Sequence, residues 1–247
     1  MKSRACLPEH LKELQLVWCL QHHEELAEQA AQKGWAHADY LERLLEGECH
    51  RRRENRIQRR LQSARFPVPK TLDAFDWSWP KKIDRTHVMD LMRLAFLDTK
   101  TNVILLGGVG LGKSHVATAV GRQACFEGRS VLWTTAIEMV NALVAAQAAQ
   151  RLRQELKKYL APDLLILDEL GYLPIDKQGA DLLFQVVSAR YERGSILLTT
   201  NRPFKQWAAI FNNDNTLASA VLDRLLHHAQ TLVIEGQSYR MKDQINP

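Results

Sequence analysis

The chain has 247 residues and a formal net charge of +5, from 33 Lys and Arg against 28 Asp and Glu. Hydrophobic residues make up 46% of the sequence and charged residues 25%, which is typical of a folded protein and excludes wholesale disorder. No apolar run approaches the roughly 18–20 residues of a membrane span, and the first residues lack the apolar stretch of a signal peptide. The sequence therefore predicts a cytoplasmic protein that does not contact a membrane.

The cysteines do not form a pattern that predicts disulfides or zinc. They lack CxxC spacing and are too few for a disulfide scaffold, and no histidine lies at zinc-ligand spacing from them. We expect reduced thiols at Cys6, Cys19, Cys49 and Cys125.

The N-terminal region has the composition of helices. Apolar residues recur at helical spacing from Leu11 to Ala30, and again from Tyr40 to Leu61. Two prolines in FPVPK then break the helical pattern. We therefore predict a helical N-terminal domain over residues 1–66 and a second domain over residues 67–247. The aromatic residues that follow the prolines are expected to pack onto the second domain; they are Phe75, Trp77 and Trp79.

The positive charge is concentrated at the end of the helical region. Residues 51–65 contain seven arginines and one acid, Glu54, which gives 7 − 1 = +6 and leaves 5 − 6 = −1 for the rest of the chain. A cationic stripe on a helix can neutralise DNA phosphates without reading bases. A solvated helix face and a docking helix for an acidic partner are the alternatives. The candidate DNA contacts are Arg51, Arg52, Arg53, Arg56, Arg59 and Arg60.

From about residue 100 onward, β-rich runs alternate with helical patterns. Such alternation predicts an α/β domain with a parallel sheet covered by helices on both faces. The expected strands are Val103–Leu106, Val131–Thr134, Leu164–Leu167 and Ser195–Thr200.

The segment GGVGLGKS is a complete GxxxxGKS motif between a predicted strand and a helix that starts at Lys113. Its glycines let backbone N–H groups turn toward phosphate oxygens, Lys113 can reach the β- and γ-phosphates, and the Ser114 hydroxyl can ligate Mg²⁺. A chance glycine-rich turn would not combine all of these features. The predicted ATP-binding residues are Gly107, Gly108, Val109, Gly110, Leu111, Gly112, Lys113, Ser114 and Asp168, with Ser114 and Asp168 also holding the metal.

Polar residues end two of the later strands. Asp168 and Glu169 follow a buried apolar strand; Asp168 would hold Mg²⁺ through water and Glu169 would activate the attacking water. Asn201 ends the next strand and could position that water against the γ-phosphate. The alternatives are an acidic pair that caps a turn and an ordinary turn asparagine.

Two arginines near the C-terminus are candidates for contact with the nucleotide. Arg224 lies on a helix with an apolar face, where it could be an arginine finger for a neighbouring subunit or could pair with Asp223 or another acid. Arg240 is a weaker candidate, as a nucleotide sensor or a surface charge.

Together these motifs resemble the IstB family of AAA+ ATPases, helper proteins of insertion-sequence transposition related to the DnaC helicase loader. The resemblance covers nearly the whole chain, from ARFPVPKTLDAFDW through GGVGLGKSH, LLILDELGYLPIDKQGADLLFQVVSARYERGS, TTNRPF and LDRLLHH to GQSYR. It implies that Gly107–Ser114 is the Walker A motif and that Asp168 and Glu169 form Walker B. It further implies that Asn201 is sensor 1 and Arg224 the arginine finger.

The resemblance also implies partners. ATP binding would assemble a homo-oligomer on duplex DNA without sequence specificity, and the oligomer would recruit and stimulate a cognate transposase. ATP hydrolysis would then release or remodel the assembly. Loops of the ATPase core could line the DNA path, with Lys177, Arg190 and Arg193 as open candidates.

One departure concerns the P-loop. Gly108-Val109 replaces the proline-containing pair common in the family, which should loosen the free loop and weaken nucleotide affinity. The remaining alternatives are a DnaC-like replicative helicase loader, a P-loop small-molecule kinase, and a non-catalytic DNA-binding module in which bound ATP only holds the fold open. The adjacent Glu169 favours hydrolysis over kinase chemistry, and the Arg-rich helix joined to FPVPKTL favours the transposition helper.

Overall fold

The computed structural model of the protein describes residues 6–80 and 82–239. They form two compact units, which divide after Arg59. The predicted domain boundary after residue 66 lies shortly past this division.

The first unit is helical, as the sequence predicts. Its helices are α1 (Cys6–Glu13), α2 (Val17–Lys33) and α3 (His37–Ala64), and the division between the units falls within α3. The apolar run that predicts one helix from Leu11 to Ala30 is split into α1 and α2. Gln15, between them, has a φ of +54°, a left-handed conformation that ends a helix. The small core of this unit contains Leu11, Cys19 and Leu44.

The second unit contains a five-stranded parallel sheet. Its strands are β1 (Asn102–Gly107), β2 (Val131–Thr135), β3 (Leu164–Leu170), β4 (Ser195–Thr200) and β5 (Ala229–Ile234), in the order β2-β3-β4-β1-β5. The four predicted strands are confirmed. The sequence pattern did not predict β5, which lies at the edge of the sheet and is only partly buried.

Helices cover both faces of the sheet, which confirms the predicted α/β fold. Neighbouring residues of β1 show this, because Ile104 belongs to one buried cluster while Val103 and Leu105 belong to another. The helices are α4 (Arg85–Leu91), α5 (Ala95–Asp98), α6 (Lys113–Phe126), α7 (Ala136–Ala148), α8 (Leu152–Leu160), α9 (Lys177–Arg190) and α10 (Asn215–Leu226), with 3₁₀ turns at Leu72–Ala74 and Phe204–Ile210.

The aromatic segment ahead of α4 packs onto this unit, as predicted. Phe75 is buried, and its ring meets the edge of the His115 ring at a centroid distance of 5.2 Å. His115 Nε2 lies 2.7 Å from the Thr71 carbonyl oxygen, which ties the segment to α6. Burial and the nearby Lys70 lower the pKa of His115, although its contact with the Thr71 carbonyl opposes that shift.

Arg190 was an open candidate for a DNA contact, and that expectation is wrong. Its side chain is only 2% exposed, and its guanidinium donates hydrogen bonds to backbone carbonyls of five residues. These are Tyr159, Leu160, Pro162, Asp163 and Ser195. Burial lowers the pKa of Arg190 to about 10, so the group is still charged at neutral pH. Lys177 and Arg193 are exposed.

Across the described ranges, no helix is both long and apolar enough to cross a bilayer. All four cysteines are free; Cys6 and Cys49 are exposed, while Cys19 and Cys125 are buried.

Candidate functional site

A cavity of about 240 Å³ opens where β1, β3 and β4 end. Parallel strands place their carboxyl ends at one edge of the sheet, so residues far apart in sequence meet there. Among the predicted residues, the cavity is lined by Val109–Ser114, Glu169 and Asn201.

The phosphate-binding loop needs its glycines at two positions. Gly110 and Gly112 have φ values of +74° and +85°, which L side chains rarely adopt. At Gly112 a Cβ atom would also lie 2.6 Å from Cε2 of Phe75. Gly112 caps α6 without a side-chain hydrogen bond, so the first N–H groups of the helix are available to an anion.

The lysine and serine of the loop have defined partners. Lys113 Nζ donates to the carbonyl oxygens of Gly107 and Gly108, at 2.9 and 2.7 Å. Ser114 Oγ donates to Oδ1 of Asp168 at 2.9 Å. The structure thus brings together the two residues that the sequence predicts to hold a metal.

Asp168 and Glu169 lie at an irregularity in β3. The register between β3 and β4 shifts between Leu167 and Leu170, and Glu169 has a φ of +62°. Asp168 is buried with 3% exposure, whereas the Glu169 side chain is exposed and lines the cavity. The β-bulge therefore aims the second carboxylate at the cavity while the first contacts Ser114.

Asn201 lies directly after β4 and also lines the cavity. Its Oδ1 atom is buried and has no hydrogen-bond partner among the described residues. A buried amide oxygen without a partner is costly, so its position favours a bound polar group in the cavity.

Arg224 does not line the cavity of its own chain. Its NH1 atom donates to the Ala220 carbonyl oxygen at 3.2 Å, and its guanidinium lies 4.7 Å from the centroid of the Phe184 ring. No carboxylate of the described chain lies within ion-pair distance of it, so the alternative of pairing with Asp223 is not observed.

The cavity also has aromatic walls that the sequence analysis did not assign to it. Phe75, Trp79, Tyr172 and Tyr239 line it. The Tyr239 N–H donates to the Gly110 carbonyl at 2.9 Å, and Trp79 Nε1 donates to the carbonyl of Gln237 at 2.9 Å. Phe75 and Trp79 come from one end of the unit and Tyr239 from the other, so no local motif could identify them. Arg240 lies outside the described residues.

Comparison with known proteins identifies the family. The family model described as IstB-like ATP binding protein matches residues 9–246. The chain belongs to the IstB-like family. It is 41% identical over 233 residues to a Pseudomonas aeruginosa protein named as an ATP-binding protein of insertion sequence IS21, covering 94% of this chain and 88% of the relative. It is 36% identical over 243 residues to the corresponding protein of IS5376 from Geobacillus stearothermophilus, covering 98% and 96%.

Two solved structures have a fold similar to that of this IstB-like chain. The AMPPCP-bound DnaA of Aquifex aeolicus matches with a TM-score of 0.58 and 20% identity, covering 72% of this chain and 54% of that chain. A DnaC helicase loader matches with a TM-score of 0.54 and 20% identity, covering 66% and 96%.

Outside the cavity, this IstB-like chain has a cluster of three side chains whose atoms are of the kinds that bind metals. Donor atoms of Glu192, His227 and His228 all lie within 4.8 Å of one another, and all three residues are exposed. His228 Nε2 lies 3.3 Å from Oε1 of Glu192, while the Tyr191 hydroxyl lies 2.7 Å from Nδ1 of His227. These contacts join the turn after α9 to the end of α10.

Part of the arginine block in the IstB-like chain surrounds a buried carboxylate. Glu48 is only 2% exposed. Its Oε1 accepts hydrogen bonds from NH2 of Arg51 at 3.0 Å and from Nε of Arg52 at 2.9 Å. Its Oε2 accepts a hydrogen bond from the Trp18 N–H at 2.7 Å. Arg52 also donates to the carbonyl of Gln15 at 3.1 Å. Burial alone would raise the pKa of Glu48, but the hydrogen bonds from Arg51, Arg52 and the Trp18 amide lower it below its usual range. Glu48 therefore links α3 to α2, Arg52 links α3 to the segment between α1 and α2, and Arg51 helps to hold the Glu48 carboxylate in place.

The other predicted DNA-binding arginines have no such partner. Arg53, Arg56 and Arg59 are exposed, and Arg60 is half-buried. No carboxylate of the described residues lies within ion-pair distance of any of these four side chains.

Proposed function

We propose that this IstB-like protein is an ATP-hydrolysing helper of transposition. It binds ATP with Mg²⁺ in the cytoplasm, oligomerises on duplex DNA without sequence specificity, and recruits and stimulates the transposase of its element. The observation that carries the proposal is the meeting of Ser114, Asp168, Glu169 and Asn201 at one end of the sheet, around or beside the cavity behind the phosphate-binding loop.

The residues of the cavity suit a nucleoside triphosphate. The loop amides and the N-terminus of α6 favour phosphate oxygens. Lys113 would exchange its two carbonyl partners for phosphate oxygens, gaining a charge-assisted contact. The rings of Phe75, Trp79 and Tyr239 offer flat apolar surface to a base.

Mg²⁺ fits the same residues. Ser114 and Asp168 present a hydroxyl and a carboxylate, the hard oxygen donors that this ion prefers. Mg²⁺ bound there would neutralise charge on the phosphates.

The proposed hydrolysis uses the side chains around the cavity. Glu169 accepts a proton from a water molecule as the water oxygen bonds to the γ-phosphorus. The bond between the γ-phosphorus and the bridging oxygen breaks, and ADP leaves with that electron pair. The unpartnered Oδ1 of Asn201 accepts a hydrogen bond from the water and holds it in line.

Assembly would complete this site with a residue from a second copy. Arg224 does not line its own cavity, although an arginine finger must reach a γ-phosphate. Tyr172 and Leu173, which follow Glu169 closely in the chain, are 46% and 58% exposed. Apolar surface beside the cavity and an arginine on α10 support a head-to-tail contact between copies.

DNA binding is proposed for the exposed part of the arginine block. Arg53, Arg56 and Arg59 lie on α3 at spacings of three residues, so their guanidinium groups can follow a phosphate backbone.

Light scattering tests the proposed assembly by measuring the size of the protein with and without ATP and duplex DNA. We expect large assemblies only with both. A monomer under all conditions would refute the proposed oligomer.

A pull-down distinguishes the helper from the alternative helicase loader. The ATP-bound protein should retain the transposase encoded by the same element. Retention of a replicative helicase alone would favour the loader.

A further inference from the structure

The hydroxyl of Thr199 joins the two acidic residues of β3. Thr199 lies on β4 and is buried, and its Oγ1 accepts a hydrogen bond from the backbone N–H of Glu169 at 2.9 Å. The same hydroxyl donates its proton to Oδ1 of Asp168, the oxygen that also accepts the Ser114 proton. One side chain therefore contacts both residues that are proposed to act on the phosphate and its metal.

The irregularity in β3 explains why this contact is needed. Asp168 and Glu169 have no register partner on β4, because the pairing shifts between Leu167 and Leu170. Glu169 also holds a left-handed backbone conformation that residues with a Cβ rarely adopt. The Thr199 hydroxyl takes the place of the missing ladder partner for the Glu169 amide.

The chemistry of a hydroxyl fixes the direction of both bonds. It carries a single proton and can accept as well, so it accepts from the amide and gives its proton to the carboxylate. A methyl group of the same size can do neither. The position of the Glu169 backbone and the orientation of the Asp168 carboxylate thus depend on the same atom.

We propose that Thr199 is a positioning residue for hydrolysis. It holds Glu169 in the bulged conformation that aims its carboxylate at the cavity, and it orients Asp168 toward the metal position. This inference rests on the proposed ATP hydrolysis and adds a residue that neither Walker motif contains.

The first test compares three variants with the wild-type protein in phosphate release. Thr199→Val keeps the shape and removes the hydroxyl, and kcat should fall about 100-fold because the carboxylates are misplaced. KM should change little, since the phosphate-binding loop is untouched. Thr199→Ser should restore kcat to within about twofold of wild type. Thr134→Val is the matched control on β2, where the hydroxyl donates a hydrogen bond to the neighbouring Thr135 carbonyl and to no acidic residue of the described ranges, and its kcat should be unchanged.

Two further measurements separate positioning from general damage. At saturating Mg²⁺, where a weakened metal site is still filled, Glu169→Gln and the double variant Glu169→Gln/Thr199→Val should have the same residual rate, because Thr199 then acts through Glu169. The Mg²⁺ concentration that half-saturates binding of a nonhydrolysable ATP analogue should rise in Thr199→Val, since Asp168 is no longer oriented.

The outcomes are distinct. A wild-type protein without ATPase activity refutes the proposed hydrolysis itself. An active wild type with an equally active Thr199→Val refutes the role of Thr199, as does a Thr199→Ser variant as slow as Thr199→Val. If Thr199→Val does not fold, as judged by circular dichroism, Thr199→Ala replaces it and the same comparison with serine applies.

Discussion

The Nε atom of Arg52 lies 2.9 Å from Oε1 of Glu48, a carboxylate that is almost completely removed from solvent. Arg51 approaches the same oxygen from the preceding position of α3. These two arginines are therefore engaged within the first unit, and we assign the proposed DNA contact to Arg53, Arg56 and Arg59, which are exposed and form no ion pair with a carboxylate of the described residues.

Neutralising those three residues should weaken DNA binding in a salt-dependent way. For Arg53→Gln/Arg56→Gln/Arg59→Gln, the slope of log K against log salt should become shallower by about 0.9 for each lost phosphate contact. Fluorescence anisotropy with duplex DNA at several salt concentrations measures it. Arg93→Gln/Arg153→Gln, which changes exposed arginines outside the block, should keep the wild-type slope. An unchanged slope in the triple variant would place the DNA contact elsewhere.

Replacing Glu48 should destabilise the first unit. Glu48→Gln leaves the arginine donors and the Trp18 amide poorly satisfied, so the free energy of unfolding should fall by about 1–3 kcal/mol at pH 7. Urea denaturation measures this, with the exposed Glu46→Gln as the control.

The effect should depend on pH in one direction. The folded protein holds the pKa of Glu48 below its usual range, so its stabilisation is fully present above about pH 4.3 and is lost as pH falls through the folded-state pKa. The wild type and Glu48→Gln should therefore converge in stability in acid. A gap that stays constant down to pH 3 would show that the charge of Glu48 does not matter.

Removing the proposed base should separate ATP binding from turnover. Glu169→Gln keeps the hydrogen-bonding shape of the side chain but cannot accept the proton, so phosphate release should fall by about 100-fold or more. Binding of ATP should persist, and the assembly on DNA should accumulate. Phosphate release and light scattering measure the two effects. Wild-type turnover in Glu169→Gln would exclude Glu169 as the base.

Arg224 should act on the cavity of a neighbouring copy. Arg224→Ala and Lys113→Ala should each be inactive alone, the first without the finger and the second without nucleotide contact. Mixing them should restore part of the phosphate release, because one kind of interface then has an intact cavity facing an intact arginine. If the mixture is no more active than its components, Arg224 instead has a structural role, in which its guanidinium packs on the Phe184 ring.

The sequence predicts the residues whose roles depend on local spacing. The phosphate-binding loop, the apolar run that leads to Asp168 and Glu169, and the run that leads to Asn201 are contiguous motifs, and the structure brings them to one edge of the sheet. The role of Thr199 could not be predicted in this way, because it depends on the bulge in the neighbouring strand. The role of Glu48 could not be predicted either, because Glu48 precedes the arginine block whose charge indicated a function.

The edge strand β5 and the wall formed by Trp79 and Tyr239 could not be predicted for related reasons. Only two of the six residues of β5, Leu232 and Ile234, are buried, so its apolar pattern is weak. Trp79 and Tyr239 are separated by most of the unit in sequence, and both line the cavity through tertiary contacts that no local pattern indicates.

The guanidinium of Arg190 acts as an internal brace, since its bonds to carbonyl oxygens join the end of α8 and the start of β3 to the start of β4. A charge-reversal screen scored only on DNA retention would report Arg190 as a DNA contact, although the substituted chain would have lost activity by misfolding. The soluble yield of each variant should therefore be recorded beside its DNA affinity. A loss of DNA binding that comes from misfolding is then not mistaken for the loss of a DNA contact.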